Sequence, residues 1–125
     1  MPRILVADDT PELRTVMRKM LETKGYTVIE AANGQEAVDA FQKQPIDVVV
    51  MDIIMPEKDG FDAILELRRI NPRVSIIAIS GGALIAGSKY LAITQMLGVQ
   101  DVLSKPFRPE DLLNAVGKCL KGPEK

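Results

Sequence analysis

The chain has 125 residues, 46% apolar and 26% charged, with 16 basic and 17 acidic side chains and a formal charge of -1. That length suits one domain with a sizeable core, and the charge balance offers no bulk attraction to nucleic acid or to an anionic membrane. Histidine is absent and Cys119 is the single cysteine, which excludes a Ser-His triad, an imidazole base, a phosphohistidine carrier and an internal disulfide, and argues against zinc.

No apolar run is long enough to span a bilayer. Met1 leads almost directly into a strand, which leaves no room for a signal peptide, so a cytoplasmic protein is expected. Arg3 to Ala7 reads as a short strand that runs into Asp8-Asp9. Thr10 and Pro11 then mark a helix start. Leu13, Val16, Met17, Met20 and Leu21 follow at helical spacing and predict one buried face. Gly25 closes that helix. Tyr26 to Glu30 is the second strand, residues 31–34 a turn, and Gln35 to Gln44 the second helix, buried through Ala37, Val38 and Phe41.

The third strand carries the most information. Val48 to Met51 is an unbroken apolar run rich in β-branched side chains, as expected of a central strand covered on both faces. It ends on Asp52 and is stopped by Met55-Pro56. Phe61 to Ile70 is a third helix, Val74 to Ile79 a fourth strand, and residues 89–97 a fourth helix. Val99 to Ser104 is the fifth strand and Pro109 to Leu120 the last helix. Five βα units in one domain, with a core over about residues 3–120 and no output domain, predict a doubly wound, flavodoxin-like three-layer α/β sandwich. Its parallel sheet is expected in the common order 2-1-3-4-5.

Ligands of such sheets bind beyond the carboxyl ends of the strands. Those ends carry Asp8 and Asp9, Asp52, Ser80 and Lys105. Each alone has an ordinary structural explanation: a capping acid, a turn residue, a hydroxyl before Gly81-Gly82, a surface lysine. Their joint occurrence at four of five strand ends does not. Two unit charges about 4 Å apart repel by about 4 kcal/mol at an effective dielectric near 20. Three carboxylates and one lysine therefore call for a hard divalent cation with oxygen ligands, and Mg2+ is favoured.

On these motifs the chain resembles the receiver domain of two-component response regulators. They are Ile4 to Asp9, Met51 to Gly60, Ile77 to Ser80 and Lys105-Pro106-Phe107. The resemblance implies that Asp52 is the phosphoacceptor for a histidine kinase or a histidine phosphotransfer protein. It further implies that Asp8, Asp9, Asp52 and the Ile54 backbone carbonyl hold Mg2+. Ser80 would be the hydroxyl that moves to the phosphoryl group, Lys105 its counter-ion, and Lys105-Pro106 a cis bond. Such a domain assists its own phosphorylation and dephosphorylation rather than turning over a substrate, and it signals to a downstream protein through residues 80–105. Family members often carry an aromatic residue three places before the lysine; here that residue is Val102. Residues 81–88 are also longer than usual.

Rival readings are weaker. An aspartyl phosphohydrolase needs an acid two residues after its nucleophile, where this chain has Ile54. A flavin domain needs a hydroxyl- or glycine-rich loop in place of Asp8-Asp9. A degenerate receiver that only docks proteins would not need the complete set of acids, hydroxyl and lysine.

Overall fold

The computed structural model describes residues 2–53, 60–80, 98–104 and 107–121. In chain order these form β1 (Arg3–Ala7), α1 (Pro11–Glu22), β2 (Thr27–Ala31), α2 (Gly34–Lys43), β3 (Val48–Asp52), α3 (Gly60–Ile70), β4 (Ser75–Ser80), β5 (Asp101–Ser104) and α4 (Pro109–Lys121). The five strands make one parallel sheet in the order β2-β1-β3-β4-β5. The helix predicted over residues 89–97 and the Lys105-Pro106 bond lie outside the described residues.

Strand alternation sorts the core into two layers. Leu5 and Ala7, Val49 and Met51, and Ile76 and Ala78 meet Ala37, Val38 and Phe41 of α2 and Ala63, Ile64 and Leu67 of α3. Their neighbours Ile4 and Val6, Val48 and Val50, and Ile77 and Ile79 meet Met17 and Leu21 of α1 and Leu112, Ala115 and Val116 of α4. β3 is buried along its whole length, because both of its faces are covered and both of its edges are paired.

Local chemistry departs from the sequence expectation in a few places. Thr10 occupies the cap position of α1 in extended conformation, but its side chain makes no capping bond. The Thr10 N–H instead donates to the Asp8 carboxylate at 2.8 Å. α2 has the stronger start: Asn33 accepts from the Glu36 N–H at 2.8 Å, and the Glu36 carboxylate accepts from the Ala32 N–H at 2.7 Å. Tyr26 precedes β2, because its N–H turns back to the Leu21 carbonyl. Val16, expected on the buried stripe of α1, is 46% exposed. The contact with the sheet is narrower than the apolar stripe: it centres on Met17 and Leu21, with Leu13 and Met20 partly buried beside them.

Candidate functional site

The register carries three acids to one edge of the sheet. Ala7 pairs with Met51, so Asp8 leaves β1 beside Asp52 at the end of β3. Asp52 in turn pairs with Ile79. Asp8 and Asp52 are buried, at 0% and 3% exposure, while the adjacent Asp9 is exposed. One carboxylate oxygen from each of the three acids lies within 4.8 Å of the others.

Backbone contacts fix these positions. The Asp8 N–H donates to the Ala31 carbonyl at 3.1 Å, its carboxylate accepts from Thr10, and its carbonyl accepts from the Arg14 guanidinium at 2.7 Å. Just past Asp52, the Ile53 N–H donates to the Ile79 carbonyl at 2.9 Å and the Ile53 carbonyl accepts from the Gly60 N–H at 2.7 Å. Gly60 approaches so closely that a Cβ there would overlap the Asp52 carbonyl oxygen and lie 2.5 Å from the Ile53 Cα. A glycine is required at this point because main chain packs on main chain.

Of the residues singled out in the sequence, Asp8, Asp9 and Asp52 are brought together. Ser80 is the last residue of β4 and pairs with Ser104, which puts its backbone one position beyond the level of Asp52. Ile54, Lys105 and the Gly81-Gly82 pair lie outside the described residues. Val102 is buried, 6% exposed, in the layer shared with α2 and α3. Arg14 and Glu30 were not legible as parts of the site. Their roles depend on α1 lying against the end of β2, which no spacing along the chain reveals.

The donor set fits a hard cation. Among the described residues it consists of carboxylate oxygens, the ligand type that Mg2+ takes while typically keeping several waters. Two buried acids and a third at the rim also match a site open to solvent on one side.

The fold and site define a doubly wound α/β domain with three acids at the carboxyl edge of its sheet, the edge where ligands of such sheets bind. Comparisons with known proteins are more specific. The family model for the response regulator receiver domain matches residues 4–117. The chain is 36% identical to the chemotaxis protein CheY of Thermotoga maritima over 121 residues, which cover 95% of this chain and 98% of that one. It is 35% identical to CheY of Bacillus subtilis, covering 94% of this chain and 97% of the other. Among solved structures, CheY4 of Vibrio cholerae superposes with a TM-score of 0.87 at 28% identity, over 95% of this chain and 98% of that one. TrrA of Thermotoga maritima, solved with Mg(2+)-BeF, gives 0.82 at 31% identity, over 95% and 99%. The chain belongs to the response regulator receiver family. Among the described residues, no helix is long and apolar enough to cross a membrane.

Proposed function

We propose that Asp52 accepts a phosphoryl group from a phosphohistidine donor, a histidine kinase or a histidine phosphotransfer protein, in a cytoplasmic two-component relay. The observation that carries this reading is the meeting of Asp8, Asp9 and Asp52, from two separate segments, with two of the three side chains buried at the strand ends. Asp8, Asp9 and Asp52, with the Ile54 carbonyl, would hold Mg2+. When bound, the ion neutralises charge on the phosphoryl oxygens and on the acids.

The remaining chemistry belongs to the chain. The Asp52 carboxylate attacks phosphorus, a P–O bond forms, and the P–N bond to the donor imidazole breaks with the electron pair leaving on nitrogen. The reaction needs alignment and charge neutralisation more than a general acid, because the imidazole leaves readily. Burial and backbone anchoring of Asp52 provide the alignment. Ser80 and Lys105 complete the reading as hydroxyl donor and counter-ion to the phosphoryl group, and residues 80–105 carry the change to a downstream protein. The domain is taken as a single receiver over residues 1–125.

Acetyl phosphate with Mg2+, followed by intact mass, tests the assignment. A gain of one phosphoryl group that is absent in Asp52→Asn is expected. An unmodified parent chain, or equal modification of the variant, would refute it.

A further inference from the structure

The family motif accounts for the three acids but not for what orients the exposed one. Asp8 is anchored at its N–H, its carbonyl and its carboxylate. The carbonyl contact matters most for Asp9. The Asp8 carbonyl oxygen and the Asp9 N–H belong to one rigid peptide plane, so holding that oxygen sets the direction in which Asp9 leaves the backbone. The holder is Arg14, whose Nη1 donates to the Asp8 carbonyl at 2.7 Å.

Arg14 is held in turn. Its Nε donates to Glu30 at 3.0 Å, and the other oxygen of Glu30 lies 3.1 Å from Nε of Arg18. The Arg14 side chain is 17% exposed, so the pair is partly shielded from solvent. Glu30 sits near the end of β2, where its backbone pairs with Val6 of β1. Arg14 thus spans from the β2 carboxylate to the peptide between the two acids. A guanidinium can do this because its donors diverge in a fixed plane; an ammonium offers no such fork.

We propose that Arg14, clamped by Glu30, is a positioning residue that orients the Asp8–Asp9 peptide, so that the Asp9 carboxylate stands over the divalent-cation site before the ion arrives. This deepens the receiver reading and rests on it. Arg14 acts through the Asp8–Asp9 peptide and is not a catalytic residue.

The test is Mg2+ affinity of the unphosphorylated protein, measured by calorimetry or amide shifts well below the unfolding temperature. Arg14→Lys keeps the charge and removes the fork, which separates orientation from electrostatics. About a 5–10-fold weaker dissociation constant is expected for Arg14→Lys, a loss of about 1–1.4 kcal/mol. A smaller weakening is expected for Glu30→Gln. Arg18→Lys, which shares Glu30 but has no bond to Asp8, should stay within about twofold of the parent. Parent-like affinity in Arg14→Lys, with the parent itself binding Mg2+, would overturn the positioning role and leave the receiver reading intact. Equal weakening in Arg14→Lys and Arg18→Lys would also overturn it, by showing a diffuse effect of the ion-pair cluster. No Mg2+ binding by the parent at millimolar concentration would overturn both.

Discussion

Replacing Gly60 with alanine tests whether α3 begins in main-chain contact with the end of β3. The added Cβ would lie 2.5 Å from the Ile53 Cα and 2.9 Å from the Ile53 carbonyl oxygen, and nearer still to the Asp52 carbonyl oxygen. Carbon atoms pack at about 3.5–4.0 Å, so the gap must open by about 1 Å. All three obstacles are main-chain atoms, and no rotamer change relieves them. β3 has little room to yield, because it is buried and paired on both edges, and Ile53 is tied to Ile79. α3 can swing outward only by breaking the 2.7 Å bond from Gly60 to Ile53. That bond is worth about 1 kcal/mol net, and overpacking adds about 1–3 kcal/mol. Alanine's better helix propensity returns at most about 1 kcal/mol. The expected net loss is about 2 kcal/mol, or about 8 °C in Tm for a domain of this size. Urea unfolding followed by far-ultraviolet circular dichroism suits a chain with no tryptophan. Gly117→Ala in α4 is the matched control: nothing lies within 4 Å of its added Cβ, so it should stabilise by about 0.5–1 kcal/mol. A Gly60→Ala protein within about 0.5 kcal/mol of the parent would refute the close approach.

Further outcomes follow from the opposite end of the sheet. Arg68 of α3 donates to the carbonyls of Pro72 at 3.2 Å, Val74 at 2.5 Å and Gly98. Arg68→Ala should therefore cost about 2 kcal/mol in urea unfolding, and Arg68→Lys should recover only part of it because the fork is lost. Cys119 lines a cavity of about 400 Å3 beside Ser75 and Asp101. Burial, and then the Asp101 carboxylate, push its thiol above the ordinary range. The folded state thus keeps the thiol proton to higher pH than the unfolded state does. The resulting stability is fully present below about pH 9 and is lost as pH rises through the folded value. Alkylation at pH 8 should be slower than for a free thiol, and Asp101→Asn should accelerate it. Equal alkylation rates for parent and variant would remove Asp101 as a cause.

The layer plan was legible because its signals are local. The Val48–Met51 run, the breaks at Gly25, Pro45 and Pro72, and the helical spacing of α4 each specify their element without reference to the rest. The acids were legible for a related reason: any parallel sheet gathers its strand ends along one edge, and the common order 2-1-3-4-5 sets β1 beside β3, which brings Asp8 to Asp52. Features set by contact between distant elements were hidden. The apolar spacing of α1 places Val16 beside Met17, and only the packed sheet reveals that Val16 remains half in water. Thr10 has the composition of a cap, yet its side chain makes no capping bond and its own N–H goes to the Asp8 carboxylate. Arg14 and Glu30 sit 16 positions apart on different elements. Val102 stands where the family resemblance leads one to expect an aromatic residue, and it is packed into the core beside α2 and α3.

The attachments of α3 have a mechanical consequence. Its first residue is bonded to the backbone beside Asp52, and Arg68 near its last turn holds carbonyls that lead into β4 and β5. With 11 residues the helix is about 16 Å long. Tied at both ends, it is a strut that links the main chain at the acid rim to the main chain at the far rim without passing through any strand.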